Sequence, residues 1–340
     1  MKTAYFWLTP QGKQLAEQLQ AHFGGTVEPK ADFAEAVQRA FADCDALVFV
    51  MATGIVVRTI APLVQSKASD PAVLVLDQRG KHVISLLSGH LGGANAMAEQ
   101  AAAYLGGEAV ITTATDVEHV PAFDLFAKEN HLTIENLEEL KYISGALVAG
   151  ESVSLCTAFP VEKNAFPPET VQIQPFSETP RHACAVAIAD TTESVAAPHV
   201  LYLRPKSLVL GVGCKKQIPP AHLEQCFRTF LQEHHLGLSA VEKLATIGLK
   251  REEPAILALC EKYRLPLEIV ADADIQACAY PFAASVFVQQ VTGLPSVSEA
   301  SAYLASGCGE VLTGKVKYSG VTFAACRKTI EPLHWKERGQ

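Results

Sequence analysis

Ser88, His90 and Asn95 stand within eight residues of one another in the string Ser88-Gly-His-Leu-Gly-Gly-Ala-Asn95. A hydroxyl, an imidazole and an amide this close can supply reacting and orienting groups for proton transfer. Gly89, Gly92 and Gly93 lie between them, and glycine lets backbone N–H groups approach a ligand closely. The string leads from an apolar, strand-like run at His82–Leu87 into a helix-compatible segment from Ala94, and a helix start favours a negative group. Two similar clusters follow apolar runs elsewhere, Ala52-Thr53-Gly54 and Thr113-Ala-Thr-Asp116. Ligands of open α/β sheets sit beyond the carboxyl ends of strands, so the three loops are expected to converge on one crevice. Arg58, about one turn into the helix after Gly54, suits two-pronged binding of a carboxylate. The plainer account of any one loop is a helix N-cap. The His90 loop has more small and polar residues than a cap requires.

Two places in the last third of the chain invite similar scrutiny. Gly211-Val-Gly-Cys-Lys-Lys216 suggests a phosphate loop but lacks the third glycine of G-x-G-x-x-G and any G-K-[ST]. Lys215 remains a candidate for an anion, and Cys214 reads as a small apolar residue. Ser296-Val-Ser-Glu299 has the form of a capping box, the plainer account beside a binding role for Glu299. The residues around Ser88 do not match the G-x-S-x-G elbow of a serine hydrolase.

The elements that must hold these residues follow from hydrophobic periodicity. Up to about residue 130, apolar runs at Ala4–Thr9, Ala46–Met51, Ala72–Leu76, His82–Leu87 and Ala109–Thr113 alternate with helical stretches. Asp77–Lys81 is a turn with Gly80 at its end. Such alternation predicts an α/β domain with a mostly parallel sheet and flanking helices. Residues 131–205 are cut by Pro160, Pro167, Pro168, Pro175, Pro180, Pro198 and Pro205 into short β-like runs, a small middle module. A second α/β pattern fills 206–330 and closes in a hairpin around Ser319-Gly320, leaving 331–340 as a polar tail expected to fray.

Composition narrows the class of protein. Of 340 residues, 49% are hydrophobic and 19% charged, enough for a sizeable core. The formal net charge of -8 argues against general nucleic-acid binding, which needs clustered Lys and Arg. The nine cysteines form no C-x-x-C pair, fitting reduced thiols of a cytoplasmic protein, and no Cys/His cluster has zinc spacing. Nowhere do eighteen apolar residues run together as a membrane span needs, and the run before Pro10 is too short for a signal peptide.

Taken together, Ala52–Arg58, Ser85–Asn95, Ile111–Asp116, Leu210–Lys215, Ser296–Ala302, and Lys315 with Val321–Arg327 resemble the cobalt-precorrin-5A hydrolase (CbiG) family of anaerobic cobalamin (vitamin B12) biosynthesis. The resemblance spans the chain and implies N-terminal, middle and C-terminal modules. It implies opening of the ring-A δ-lactone of cobalt-precorrin-5A by water, with release of acetaldehyde to give cobalt-precorrin-5B. The substrate, an anionic tetrapyrrole, carries the cobalt, so no cofactor or protein metal site is expected. Transient contacts with neighbouring pathway enzymes are expected. On this reading His90 is a general base or acid, Ser88 a reacting or binding hydroxyl, and Asp116 orients His90 or water. Thr53, Gly54, Arg58, Gly89, Gly92, Gly93, Asn95, Lys215 and Glu299 are expected to bind substrate. Two rivals stand beside it: a non-catalytic corrinoid carrier, which predicts the same loops, and a sugar-phosphate or nucleotide-binding enzyme, for which only the Gly211 loop speaks.

Overall fold

The computed structural model describes residues 1–66, 69–282, 289–290 and 293–335. It divides into two compact units, one covering Met1–Leu125 and the other beginning at Phe126.

The first unit is built on strands β1 (Thr3–Trp7), β2 (Thr26–Val27), β3 (Ala46–Val50), β4 (Ala72–Leu76), β5 (His82–Leu87) and β6 (Glu108–Val110), in the order β2-β1-β3-β4-β5-β6. Strands β1 to β4 are mutually parallel, and every residue of β3 and β4 is buried. That is why both strands read as unbroken apolar runs rather than alternating ones. Helices α1 (Pro10–Phe23), α2 (Phe33–Asp43), α3 (Thr53–Ile60) and α4 (Ala94–Leu105) supply the cover. Leu15, Leu19, Met97 and Ala98 of α1 and α4 pack on one face with Tyr5, Val48 and Leu74. Val37, Ala40, Val56 and Ile60 of α2 and α3 pack on the other with Phe6, Phe49 and Val75.

Strand β5 reverses the direction. Only the five residues Asp77–Lys81 separate it from β4, whereas a crossover to a parallel neighbour takes a dozen or more. The two therefore form an antiparallel hairpin, with Leu76 opposite Val83 and Val73 opposite Leu87, and β6 runs parallel to β5. The loop after β3 and the loops after β5 and β6 consequently lie at opposite edges of the sheet. A Cβ placed on Gly92 would lie 3.3 Å from the backbone nitrogen of Ala72, at the start of β4. The expected convergence of the Thr53, His90 and Asp116 loops is thus corrected: His90 and Asp116 share one edge, and Thr53 lies at the other. Five or six residues of strand, at about 3.3 Å each, put roughly 16–20 Å between the edges. Two short helices, α5 (Ala114–Val117) and α6 (Phe123–Glu129), follow β6.

The second unit contains two further sheets. Strands β7 (Leu132–Ile134), β8 (Val153–Thr157), β9 (Val171–Pro175), β10 (Cys184–Ile188) and β11 (His199–Pro205) form the middle sheet, β7-β11-β10-β8-β9, with helix α7 (Leu140–Val148). Strands β12 (Leu208–Cys214), β13 (Val241–Ile247), β14 (Leu267–Val270), β15 (Glu310–Tyr318) and β16 (Val321–Arg327) form the last, β14-β13-β12-β16-β15. Its helices are α8 (Pro220–Glu233), α9 (Pro254–Tyr263), α10 (Asp272–Ala277) and α11 (Ser298–Ala305). The closing hairpin forms as its sequence predicts, β15 pairing with β16 around Ser319-Gly320.

The wholly buried carboxylate of Asp190, in the segment after β10, ties the two sheets together. It accepts from Arg327 of β16 at 2.6 and 2.7 Å and from the Ser207 hydroxyl at 2.9 Å. The expected fraying of the tail is corrected for residues 331–335. Leu333 is buried and bridges to Val161, and Trp335 stacks on Phe166, so two apolar side chains anchor an otherwise polar stretch. Residues 336–340 lie outside the described residues. Among the described residues no helix is long and apolar enough to cross a membrane.

Candidate active site

The loop between β5 and α4 is shaped by close packing. Ser88 adopts a left-handed backbone with φ 56°, and Gly93 does so with φ 90° as the residue before α4. A Cβ on Gly92 would sit 2.4 Å from the Ser88 Cβ, and one on Gly89 would sit 2.6 Å from Asn95 Oδ1. Such separations exclude any larger residue without rearrangement. The first N–H groups of α4 already have partners: Ala94 N–H donates to the Ser88 carbonyl at 3.1 Å and Asn95 N–H to that of Gly89 at 3.0 Å. The glycines are thus explained by the tight fold of the loop.

That fold delivers His90 into a ring of polar side chains. Its Nε2 lies 2.7 Å from Oδ2 of Asp116, in the short helix α5 that follows β6. Its Nδ1 lies 3.1 and 3.2 Å from the two oxygens of Asp124, near the start of α6. Asn95, almost wholly buried, donates to Asp116 Oδ2 at 2.9 Å and to the Thr113 hydroxyl at 3.1 Å, while its Oδ1 accepts from Ser85 at 2.6 Å. Asp124 Oδ1 also accepts from the Leu125 backbone N–H at 3.0 Å. The His90 side chain is only 10% exposed, Asp124 10% and Asp116 18%. Ser88 Oγ is buried without a hydrogen-bond partner, which is uncommon for a hydroxyl in a folded interior.

Electrostatics assign His90 its resting charge. Burial pulls its pKa down, but hydrogen bonds to Asp116 and Asp124 and the charges of both carboxylates outweigh burial and raise it to about 9. His90 is therefore an imidazolium near neutral pH, with a carboxylate at each ring nitrogen. At rest the ring carries a proton on each nitrogen.

The other expected residues fall elsewhere. Thr53 and Gly54 begin α3, which has no side-chain cap, and the Arg58 guanidinium folds back onto the Gly54 carbonyl at 3.1 Å. In the second unit, Lys215 follows β12 and its backbone N–H donates to Gly320. Glu299 lies buried in α11, near Gly314 and within the electrostatic reach of Lys315. The capping box does not form: α11 has no side-chain cap, and the hydroxyls of Ser296, Ser298 and Ser301 are buried without partners. Gly211 explains the missing phosphate loop, because a Cβ there would lie 1.7 Å from the Ser298 carbonyl oxygen. It is a helix-packing glycine. Burial pushes the Cys214 thiol up to about 11, which leaves it unreactive. Among the described residues no group of three or more His, Cys, Asp or Glu side chains is placed to hold a metal ion.

Asp124 is the residue that motif reading missed. Its signal was an acid inside the apolar run Val120–Ala127, since a carboxylate buried there needs a partner. Nothing local names His90 as that partner, because 34 residues separate them.

Three family models match in succession: the cobalamin synthesis G N-terminal domain over residues 35–116, the cobalamin biosynthesis central region over 121–205 and the cobalamin synthesis G C-terminus over 208–326. A cobalt-precorrin-5A hydrolase of Salmonella typhimurium is 34% identical, the match covering 94% of this chain and 95% of that protein. One from Priestia megaterium is 32% identical over 82% of this chain and 77% of the other. A crystal structure of a cobalamin biosynthesis protein G homolog from Sulfolobus solfataricus covers 96% of this chain and 97% of its own, at 21% identity and a TM-score of 0.41.

Proposed function

The chain belongs to the cobalamin synthesis G (CbiG) family, and from that premise we propose which of its residues perform the family's reaction. The protein is a cobalt-precorrin-5A hydrolase, an enzyme of cobalamin biosynthesis. It opens the ring-A δ-lactone with water and releases acetaldehyde, giving cobalt-precorrin-5B. The cobalt is part of the substrate, and the reading requires no cofactor beyond it.

One observation carries the assignment: His90 is held as an imidazolium between Asp116 at 2.7 Å and Asp124 at 3.1 Å. Ester opening needs a base for the attacking water and an acid for the departing alkoxide. Asp116 takes a proton from water as its oxygen bonds to the lactone carbonyl. His90 gives a proton to the alkoxide as the ring C–O bond breaks. The short contact between Asp116 and His90 Nε2 then returns the proton from carboxyl to imidazole. Asp124 holds the ring through Nδ1 and stabilises its charge. The same pair removes the proton of the freed hydroxyl, the C–C bond breaks, acetaldehyde leaves, and the bonding electrons pass into the conjugated macrocycle. The unpartnered Ser88 hydroxyl supports a place for it beside the reacting carbonyl.

In this reading Gly89, Gly92 and Gly93 serve the reaction by folding the loop tightly enough to present Ser88 and His90, and Asn95 by holding Asp116 in place. We place the reaction in the cytoplasm, supported by nine free cysteines. Transient contacts with the enzymes before and after it belong to the same reading, because both substrate and product are pathway intermediates. The test is a His90→Gln variant assayed for acetaldehyde release from cobalt-precorrin-5A. A rate loss of about 10²–10⁴-fold is expected for a missing acid-base group, and wild-type turnover would remove His90 from the chemistry.

A further inference from the structure

Strand β5 runs from one end of the first sheet to the other. Near its start, His82 and Ile84 line a cavity of about 580 Å³ together with Met51, Val75 and Leu76. Past its end lies the loop that carries His90. Between the two stands Ser85. Val83 packs toward α1 and α4, whereas Ile84 and Leu86 pack toward α2 and α3. Alternation along the strand puts Ser85 on the Val83 face, paired with the buried Leu74. An apolar residue would suit that face, and a hydroxyl there needs a partner.

The partner is Asn95, in the first turn of α4 and 1% exposed. Its Nδ2 donates to Asp116 Oδ2 at 2.9 Å and to the Thr113 hydroxyl at 3.1 Å, and its Oδ1 accepts from the Ser85 hydroxyl at 2.6 Å. Turned over, the amide would set Oδ1 against the Asp116 carboxylate, which as an ionised group can only accept. One orientation is therefore favoured, and in it Ser85 supplies the donor for Oδ1. The carboxamide lies directly on the His90 loop: a Cβ on Gly89 would sit 2.6 Å from Oδ1 and 3.1 Å from Nδ2.

Without the Ser85 hydroxyl, Oδ1 becomes a buried acceptor lacking a donor, which is a costly state. The carboxamide then gains by turning toward another donor, and its N–H leaves Asp116. Asp116 Oδ2 is the same oxygen that faces His90 Nε2 at 2.7 Å. The placement of this pair thus depends on a hydroxyl whose own hydrogen bond goes to neither of them.

We propose that Ser85 is a positioning residue for the lactone-opening reaction, fixing Asp116 Oδ2 against His90 through the Asn95 carboxamide. This rests on the acid–base reading of His90 and Asp116. The test compares Ser85→Ala and Ser85→Thr in the full chain on cobalt-precorrin-5A, with melting curves to establish that each folds. Ser85→Ala is expected to lose about tenfold or more in kcat, because a reacting group misplaced by about 1 Å can cost about 10²-fold. Its KM should stay within about twofold, the mark of an interaction used in the transition state. Ser85→Thr keeps the hydroxyl on a residue that strands favour, and its kcat should stay within about threefold of wild type. In an Asn95→Ala background, adding Ser85→Ala should cost less than about twofold more, since the two residues act as one unit. The Asn95 side-chain amide resonances should shift in Ser85→Ala and keep their positions in Ser85→Thr.

Wild-type kcat in Ser85→Ala, a Ser85→Thr variant as slow as Ser85→Ala, a fully additive loss in the Asn95→Ala background, or unmoved amide resonances would overturn the role of Ser85. Turnover of His90→Gln separates this from the catalytic reading. Lost turnover there with wild-type kcat in Ser85→Ala overturns the role of Ser85 alone. Full turnover there with a slowed Ser85→Ala overturns the assignment to His90 alone and leaves Ser85 positioning Asp116.

Discussion

The two edges of the first sheet differ in how their polar groups are partnered. At the His90 edge, an imidazolium, two carboxylates, an amide and hydroxyls are linked into one half-buried network. At the cavity edge, Thr9, Asp77 and Gln78 bond one another or nearby backbone N–H groups beside an apolar space. A closed network in low dielectric fixes charge and geometry, which suits proton transfer. One sheet thus holds a closed polar network at one end and an apolar cavity at the other, and the reversal of β5 keeps them apart.

The largest effect expected from breaking this contrast comes from Asp124→Asn. It removes one of the two charges that raise His90, so the imidazole pKa should fall from about 9 toward 6.5. Acetaldehyde release at neutral pH should drop on the order of 10²-fold, and the alkaline limb of the rate profile should move to lower pH. NMR titration of His90 beside the rate measurement checks both. An unmoved pKa would show that Asp124 does not set the charge.

Next in size is a glycine comparison. Gly92→Ala drives a methyl to 2.4 Å from the Ser88 side chain and 2.7 Å from its carbonyl, whereas Gly54→Ala meets only the flexible Arg58 guanidinium at 3.3 Å. Denaturant unfolding should show a loss of about 1–3 kcal/mol for the first and within about 0.5 kcal/mol for the second. Equal losses would mean that the His90 loop is no tighter than the α3 start.

The smallest expected effect is on stability against pH, and the edges should respond in opposite senses. His90 is raised from 6.5 to about 9, so its contribution is complete below 6.5 and is lost as pH rises through about 9. For Asp77, burial pushes the carboxyl up, but N–H groups of His82 and Arg79 and the His82 ring outweigh it and hold the carboxyl below 3.8. Its contribution is present above 3.8 and is lost on acidification through the lowered value. Melting temperatures should show His90→Gln levelling the alkaline decline and Asp77→Asn levelling part of the acid one. Profiles unchanged by either substitution would remove both groups from the linkage.

Much of this architecture is legible before any coordinates. The buried runs of β3 and β4, the helices between strands and the hairpin at Ser319-Gly320 follow from periodicity and turn residues. The turn at Asp77–Lys81 was legible too. Its shortness implies an antiparallel neighbour, a consequence that outranks the general expectation of parallel strands. The Ser296–Glu299 box failed because α11 packs its first turn against Gly211, so burial displaced capping. The tail was misjudged because two apolar residues, Leu333 and Trp335, suffice to dock it.

By itself the sequence determined the α/β class, the resemblance to the family, and His90 at the heart of a glycine-rich loop. These are local properties: hydrophobic period, turn chemistry and a run of residue types. Only the tertiary structure decided which edge each loop occupies, since strand direction becomes a position only once strands pair. It alone decided the charge on His90 as well. That charge depends on carboxylates 26 and 34 residues away, and only folding brings them to the two sides of one ring.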